Sequence, residues 1–313
     1  MHVPTDGAQD AGSVPPLRGW PGVDAAAPGA VRRQAFVLGV ASGKGGTGKS
    51  FVVSNLAVLL AGAGVRVTVV DCDFGLGSAH LLLGVNPERT LQHYLAGKAG
   101  LDEVCVATPH GPRLLPGGSG VSALASLDEA QVLRVLNALA RLAAECDVLL
   151  LDAPAGIAPQ SLLLLLGCDL VTVVTNPEIA AMTDAYALVK CLWMRGGRCP
   201  MGVVLNRVAS AEQGAESFAR LAEVSRRFVG CPLHSLGHVP EDPGVRQRRL
   251  GQPPAVVGQP ASEVACAIQG IRDRLETLSG GLRTRPLTGA SDPRERWLHW
   301  LRQEPPGEGA TTA

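Results

Sequence analysis

This 313-residue chain has few aromatic residues, no net charge and no long apolar run. Aromatic side chains make up only 4% of the residues, whereas apolar residues make up 46%. A large core must therefore be built mainly from Leu, Val and Ala. Lysine plus arginine and aspartate plus glutamate both number 28, and this balance removes any global argument for binding nucleic acid. No apolar run reaches the roughly 20 residues that a transmembrane helix needs.

The eight cysteines contain no C-x-x-C pair, and most of them lie in apolar segments. Cysteine behaves as a small hydrophobic residue in such surroundings. We therefore expect reduced thiols, and neither a zinc site nor an iron–sulfur site within one chain. The first 31 residues also lack the continuous apolar segment of a secretory signal peptide, so we expect a cytoplasmic protein.

The organisation of the chain follows from short apolar segments that alternate with helix-length segments. Predicted strands cover 35–41, 65–71, 147–152, 169–175, 200–206 and 233–239, and predicted helices cover 49–62, 127–145, 178–195, 211–229 and 261–277. Short Val- and Leu-rich strands between helices predict an α/β fold with a doubly wound, mainly parallel sheet and helices on both faces. This domain would cover 34–279, after a disordered arm over 1–33 that is rich in Gly, Pro and Ala. A flexible linker over 280–290 would follow it.

The C-terminal segment 291–313 begins with a predicted amphipathic helix. Asp292 would cap it, Pro293 fits the first helical position and Glu295 would complete a capping box. Its apolar face consists of Trp297, Leu298, Trp300 and Leu301. Two tryptophans flanked by arginines after a flexible linker are typical of a helix that lies in a membrane surface. The same face would also allow the helix to dock on its own domain or on a partner.

A phosphate-binding loop is the strongest motif in the sequence. It follows the first strand and opens the first helix, which is the context that gives G-x-x-x-x-G-K-[ST] its meaning. Glycines let successive N–H groups point inward, and the helix N-terminus adds partial positive charge. Lys49 would contact the β- and γ-phosphates of a nucleoside triphosphate, and the Ser50 hydroxyl would bind Mg²⁺. The predicted nucleotide-binding residues of the loop are Gly43, Lys44, Gly45, Gly46, Thr47, Gly48, Lys49, Ser50 and Phe51.

Two further motifs place carboxylates at the ends of strands. Asp71 and Asp73 are two residues apart at the end of the second strand, so they point the same way and address one site. Asp152 ends an apolar strand, which is the form of a Walker B aspartate that holds Mg²⁺ through water. Because the carboxyl ends of parallel strands meet at one edge of a sheet, we expect these carboxylates and Lys49 to converge there. Each aspartate taken alone is also a common turn former.

Together these motifs resemble the MinD/ParA family of P-loop ATPases. The octapeptide GKGGTGKS contains a second lysine, Lys44, that an ordinary phosphate-binding loop does not need, and it resembles the deviant Walker A loop of that family. The resemblance implies that Lys44 crosses a dimer interface to contact nucleotide in the other subunit. It also implies ATP and Mg²⁺ as cofactors and a role for Asp73 in positioning the attacking water. The catalytic residues would be Lys44, Lys49 and Asp73, and the residues at the metal would be Ser50, Asp71 and Asp152.

The resemblance also implies contacts to the adenine base. Asn206, at the end of the fifth strand, matches an asparagine whose amide reads the base, and Pro240 and Asp242 match a loop that flanks it. An asparagine after a strand is also a common turn former.

Later segments resemble one branch of the family, the FlhG/FleN regulators of flagellar number. The similarity rests on 86–91, 175–178 and 183–190. It implies a slow, partner-stimulated ATPase that forms a homodimer with ATP and sets flagellar number or placement through protein partners. The protein would associate peripherally with the inner face of the membrane through its C-terminal helix. The D-Q-A-x-x-L-R motif of that branch is absent from residues 1–33, and Ser78 and His80 replace the usual Asn and Asp of switch I.

Two other functions remain open from the sequence. A ParA-like partition or division-site ATPase would bind DNA or Min-type cargo, and the basic cluster Arg246, Arg248 and Arg249 offers contacts to a phosphate backbone. A slowly hydrolysing, nucleotide-gated scaffold would instead bind a transcription regulator.

Overall fold

An apolar sheet forms the centre of the structure, a computed structural model that describes residues 33–74, 77–118, 127–247, 252–286 and 292–302. The strands are β1 (Arg33–Gln34), β2 (Phe36–Ala41), β3 (Val67–Asp71), β4 (Val106–Ala107), β5 (Arg113–Leu115), β6 (Val148–Asp152), β7 (Leu170–Thr175), β8 (Met201–Val208), β9 (Leu233–Pro240) and β10 (Arg285–Pro286). The main sheet has the order β4-β5-β3-β6-β2-β7-β8-β9 and is parallel except where β4 pairs with β5. Every residue of β2, β3, β6 and β7 is buried, as expected of strands covered on both faces.

Helices cover both faces of this sheet. The longer helices are α1 (Lys49–Gly62), α5 (Glu129–Glu145), α6 (Pro159–Leu166), α7 (Ile179–Met194), α8 (Ala211–Val229), α11 (Glu263–Ser279) and α12 (Pro293–Leu301), and the shorter ones are α2 (Ala79–Leu82), α3 (Leu91–Leu95), α4 (Leu101–Val104), α9 (Pro243–Arg246) and α10 (Ala255–Gly258). Ser210 caps α8 and Ser262 caps α11, each by accepting the backbone N–H three residues later. Within the described ranges, none of the helices combines the length and the apolar character that crossing a bilayer requires.

Alternate residues of β2 belong to two different cores. Val37 and Ala41 pack with α5, α6, α7, α8 and α12, whereas Phe36, Leu38 and Val40 pack with α1, α10 and α11. This is the doubly wound α/β fold that the sequence predicts. The predicted strands and helices of the domain are confirmed, with each end within about two residues of its predicted position.

Two pairs of short strands lie outside the prediction. β4 and β5 extend the sheet beyond β3. β1 and β10 pair antiparallel, so that Arg33 lies opposite Pro286 and Gln34 opposite Arg285. β10 therefore occupies part of the segment predicted as a linker. Strands of two or three residues have too little periodicity to be predicted, because they form only when a distant segment supplies the backbone partner. The predicted disordered arm, apart from Arg33, lies outside the described residues.

The C-terminal helix α12 packs on the domain, against α5 and α6. Trp297 is fully buried, and its indole N–H donates to the carbonyl oxygen of Leu164 at 2.9 Å. Leu298 is also buried, and Trp300 and Leu301 pack against the same core. The apolar face that was expected to lie in a membrane surface therefore faces the protein core in this structure. Docking on the domain is the arrangement observed.

Polar contacts hold the N-terminal half of α12 and join it to the sheet. Asp292 caps the helix by accepting the backbone N–H of Arg294 at 2.8 Å. The predicted capping box is not formed, because Glu295 accepts instead from the Arg294 guanidinium at 3.4 Å. Arg296 donates to one carboxylate oxygen of Asp169 at 2.6 Å. The other oxygen of Asp169 accepts a backbone N–H at the start of β2 at 2.7 Å, so this carboxylate joins the tail helix to the central strand.

Gly167 provides the space that the indole of Trp297 fills, and this gives a test of the docked helix. A Cβ at Gly167 would lie 2.0 Å from the indole nitrogen, although the backbone there, with φ of −85°, accepts alanine. Losing the packing of a buried aromatic costs about 3–5 kcal/mol. We therefore expect Gly167→Ala to speed hydrogen exchange within α12 roughly a hundredfold, measured by mass spectrometry, while exchange in the sheet is unchanged. Gly62→Ala, whose Cβ would meet no atom within 4 Å, is the control. Equal exchange in both proteins would contradict the docking of α12.

Candidate nucleotide-binding site

The loop between β2 and α1 lies at the carboxyl end of the central strand. Gly46 and Gly48 have φ of +79° and +90°, in the left-handed region that glycine adopts without strain. A Cβ at Gly48 would lie 2.0 Å from the side-chain nitrogen of Asn206, whereas a Cβ at Gly45 or Gly46 would meet no atom within 4 Å. One side of the loop is thus packed against the protein and the other faces open space. Because α1 begins at Lys49, its free backbone N–H groups point into this loop.

Three parallel strands bring the predicted carboxylates to the same edge. Asp71 of β3 and Asp152 of β6 are register partners, and Asp152 also pairs with Val40 of β2. The Lys49 Nζ forms an ion pair with Asp152 Oδ1, and these two side chains are only 11% and 1% exposed. Asp73 lies two residues beyond the end of β3 and is half-buried. The structure therefore brings Lys49, Asp71 and Asp152 together, with Asp73 on the adjoining loop.

Burial dominates the electrostatics of Asp71. Burial, followed by the charge of Asp152, raises the pKa of the Asp71 carboxyl from its usual 3.8 to about 7. The backbone N–H groups of Asp73 and Ala79, each 3.1 Å from a carboxylate oxygen, and the charge of Lys49 act in the opposite direction. Two buried carboxylates facing one lysine leave an excess of negative charge, which a cation would neutralise.

The residues at this edge fit a magnesium–nucleotide complex. Thr47 Oγ1 and Asp152 Oδ2 are buried and have no hydrogen-bond partner among the described residues. Such atoms cost free energy unless a ligand satisfies them. Ser50, in the first turn of α1, is half-buried. Hydroxyl and carboxylate oxygens are the ligands that Mg²⁺ prefers, so Ser50, Asp71 and Asp152 suit the cation, directly or through water, and Lys49 suits a phosphate.

A cavity of about 300 Å³ adjoins the loop. It is lined by Phe51, a predicted nucleotide-binding residue of the loop, and by the predicted base-contacting residues Asn206, Pro240 and Asp242. The amide of Asn206 donates to the carbonyl oxygen of Thr47 at 2.7 Å and so ties β8 to the phosphate-binding loop. Asp242 caps α9 by accepting the Gly244 N–H at 2.6 Å. The structure brings Phe51 and the three predicted base-contacting residues to one cavity, and the contact of those three with adenine stays a prediction.

Arg207 and Glu241 also line this cavity, and sequence reasoning missed them. Arg207 has φ of +60°, and no other non-glycine residue in the described ranges has a positive φ. The Arg207 backbone is therefore strained. Its guanidinium pairs with Glu241 at 3.0 Å and donates to the carbonyl oxygen of Gly46 at 3.3 Å. The only signal in the sequence was its position directly after Asn206.

Lys44 contacts the residue that precedes α7. Its Nζ pairs with a carboxylate oxygen of Glu178 at 2.7 Å, and the two side chains are 32% and 59% exposed. The hydrogen bond from Lys44 lowers the pKa of the Glu178 carboxyl. Glu178 directly precedes α7, and Ile179, which follows it, is 86% exposed. The contact of Glu178 with Lys44 was not predicted.

Two groups of predicted residues are not part of this edge. The tail residues Trp297, Leu298, Trp300 and Leu301 belong to α12, which contacts Asp169 just before β7 begins, at the opposite edge of the sheet. The side chains of the basic cluster Arg246, Arg248 and Arg249 lie outside the described residues. The DNA-binding hypothesis built on that cluster stays a prediction.

Comparison with known proteins identifies relatives over most of the chain. A family model described as the CobQ/CobB/MinD/ParA nucleotide binding domain matches residues 38–253. The antiactivator FleN of Pseudomonas aeruginosa is 33% identical over 241 residues, which are 77% of this chain and 86% of FleN. The flagellum site-determining protein YlxH of Helicobacter pylori is 32% identical over 203 residues, which are 64% of this chain and 68% of YlxH.

Solved structures lead to the same family. The septum site-determining protein MinD of Pyrococcus horikoshii, complexed with Mg-ADP, is similar with a TM-score of 0.62 and 30% identity. The similarity covers 78% of this chain and 97% of that one. These matches confirm the resemblance to the MinD/ParA family and to its FlhG/FleN branch.

The pKa of Asp71 predicts how stability depends on pH. Between about pH 4 and pH 7 the folded state keeps a proton that the unfolded state has released, so the free energy of unfolding falls as the pH rises. Asp71→Asn, which carries no charge, should gain stability relative to the parent between about pH 5 and pH 8, on the order of 1–3 kcal/mol. Urea unfolding of the nucleotide-free protein measures this difference. Asp273→Asn, at a carboxylate that is 61% exposed, is the control. The same pH dependence in the parent and in Asp71→Asn would contradict the assignment.

Proposed function

The chain belongs to the CobQ/CobB/MinD/ParA nucleotide-binding family, and on this basis we propose that it is an ATPase that dimerises with ATP and controls flagellar number or placement. The name of one relative, the flagellum site-determining protein YlxH, supports the flagellar role, and the similarity to the antiactivator FleN supports a regulatory one. The complex of Pyrococcus horikoshii MinD with Mg-ADP supports Mg²⁺ and an adenine nucleotide as cofactors.

The position of Lys44 is the observation that carries this proposal. Two lysines in one loop have different surroundings: Lys49 is buried against Asp152, whereas Lys44 lies at the surface in an ion pair with Glu178. Lys49 is therefore sufficient for phosphates bound in the same subunit. Lys44 is placed to leave Glu178 and contact phosphates from outside, which is what a second subunit would present. An exposed pair of this kind contributes little and is readily exchanged.

Exposed apolar residues near Lys44 support a dimer interface at the same edge. Ile179 is 86% exposed beside Glu178, and Ile157, on the loop that follows β6, is 46% exposed. Exposed apolar side chains around a functional edge are typical of a surface that binds another protein. A second copy of the chain would cover both isoleucines and place its own Lys44 at the nucleotide.

Each residue at the nucleotide edge would have a separate role in ATP hydrolysis. Lys49 would hold the β- and γ-phosphates, and Ser50 and Asp152 would hold the cation directly or through water. When bound, Mg²⁺ would neutralise the phosphate charge that develops during the reaction. Asp73, on the loop after β3, would position the attacking water. Lys44 from the partner would stabilise the developing charge, so turnover would require the dimer.

Membrane association is the second part of the proposal. α12 would leave the domain in the ATP-bound dimer and insert Trp297, Leu298, Trp300 and Leu301 into the inner face of the membrane. Each short helix alone binds weakly, and a dimer carrying two of them gains through effective concentration. A protein partner would bind this membrane-associated dimer. The name antiactivator, which the relative FleN bears, supports a transcription regulator as that partner.

Variants of three residues test the nucleotide cycle. We expect Lys49→Ala to abolish ATP binding, because it removes the phosphate contact and leaves Asp152 buried without its counter-charge. Lys44→Ala should bind ATP but form no dimer, and Asp73→Ala should form a stable ATP dimer that does not hydrolyse. Nucleotide titration, analytical ultracentrifugation and phosphate release measure these steps. Normal ATP hydrolysis by Asp73→Ala would show that its assigned role is wrong.

Liposome sedimentation tests the membrane part. With ATP the full-length protein should pellet with vesicles that contain anionic lipid, and with ADP the pelleted fraction should fall severalfold, because only the dimer carries two anchors. Removal of residues 291–313 should abolish the ATP-dependent part. Retained ATP binding by the shortened protein serves as the folding control. Equal pelleting with ATP and ADP would refute coupling between nucleotide and membrane.

A further inference from the structure

The ends of α7 and α8 meet at the edge of the sheet opposite the nucleotide loop. The two helices pack on each other and follow parallel strands, so both end where strands begin. Cys231, just after α8, has its sulfur 3.9 Å from the sulfur of Met201, the first residue of β8. Arg198 stacks at 4.3 Å over the ring of Trp193 in the last turn of α7. We call the surface formed by 193–198 and 224–231 the distal surface.

The distal surface is strongly basic in a chain with no net charge. Its two segments contain no acidic residue, and their arginines are Arg195, Arg198, Arg226 and Arg227. Arg198 donates only to backbone carbonyl oxygens, at 2.9 and 3.1 Å. In the described part of the chain none of the four arginines forms an ion pair with a carboxylate, although most other arginines do. Their charge is therefore available to an anionic partner.

Apolar side chains protrude among these arginines. Met194 is 72% exposed, Phe228 is 67% exposed and Val224 is 37% exposed. The guanidinium of Arg227 lies 5.3 Å from the centre of the Phe228 ring. Protruding methionine and phenylalanine side chains cost free energy in water, so their combination with unpaired arginines indicates a partner that is anionic at its surface and apolar beneath it.

The distal surface continues onto the docked helix α12. The ring of Trp300 lies against Gly196, where a Cβ would be 2.7 Å from the ring. A cavity of about 500 Å³ lies between the distal surface and α12, and it is lined by Arg198 and by His299 and Trp300 of α12. The acidic residues in that lining are Asp169 and Glu295, and each is already paired with an arginine of α12. The basic and apolar character of the surface therefore continues across this junction.

We infer that the distal surface binds an anionic lipid bilayer directly, with α12 still docked. Arginines 195, 198, 226 and 227 would contact lipid phosphates, and Met194 and Phe228 would enter the interface between headgroups and acyl chains. A nucleic acid would contact the arginines through its phosphates, but it would leave the side chains of Met194 and Phe228 exposed to water. The inference rests on the proposed function in taking the membrane as partner, and it adds a contact that needs neither ATP nor release of the tail.

Sedimentation of the nucleotide-free, full-length protein tests this inference. The vesicles are phosphatidylcholine alone, or phosphatidylcholine and phosphatidylglycerol in equal amounts. The parent should pellet with the anionic vesicles only, and added salt should weaken the binding. Arg226→Glu/Arg227→Glu should lower the partition coefficient by about tenfold or more, because charges near an anionic surface act cumulatively. Met194→Ser/Phe228→Ser should lower it severalfold. Arg220→Glu, earlier on the same helix and 78% exposed, is the charge control.

The outcomes separate this inference from the proposed function. Both double variants should keep ATP binding and turnover, which shows that the nucleotide edge is intact. If both pellet like the parent, the distal surface does not bind lipid, while ATP-dependent binding through α12 would still stand. If the parent binds no vesicle in any nucleotide state, both lipid binding by the distal surface and ATP-dependent membrane binding through α12 are wrong. If Arg226→Glu/Arg227→Glu instead loses binding to a DNA duplex and the parent ignores vesicles, the surface is a nucleic-acid site and the inference is overturned.

Discussion

The buried ion pair between Lys49 and Asp152 is the interaction on which the nucleotide edge depends. Both side chains are almost completely removed from water, and leaving either charge without the other costs about 3–5 kcal/mol. The pair joins the first turn of α1 to the end of β6, and the strand register places Asp71 beside it. Burial and the neighbouring charge of Asp152 together raise the pKa of Asp71. A divalent cation would balance the carboxylates and free Lys49 for phosphate.

The same dependence on register explains how much of the site could be predicted. Asp71 and Asp152 end apolar strands, and Lys49 follows the loop after a third. Parallel strands bring their carboxyl ends to one edge whatever the details of packing. Arg207 and Glu178 could not be predicted in the same way. Arg207 reaches a carbonyl 161 residues away, and Glu178 reaches Lys44 across 134 residues. No local pattern encodes such contacts, because they depend on how two loops approach each other.

The docking of α12 marks a different limit of sequence reasoning. An amphipathic helix presents the same apolar face to a membrane and to a protein core, so its pattern favours neither. Two features of the fold place α12 on the domain. Gly167 has no side chain, which leaves room for the indole of Trp297. The carbonyl oxygen of Leu164 accepts the indole N–H of Trp297, which is 133 residues away in the sequence. β4, β5 and β10 were missed for a related reason, since each is a short strand defined by its partner. The central strands β2, β3, β6 and β7 were predicted because apolar residues throughout each strand reflect burial on both faces.

Both favourable and unfavourable contributions act on the docked helix α12. Burial of a large apolar side chain such as Trp297 contributes about 1.5–3 kcal/mol. Against this, Nε and Nη2 of Arg296 are buried without a hydrogen-bond partner among the described residues, and each such group costs about 1–3 kcal/mol. The bond from Arg296 to Asp169 recovers part of that cost. A surface that offers acyl chains to Trp297 and phosphates to Arg296 would satisfy both, so it would compete with the domain for α12.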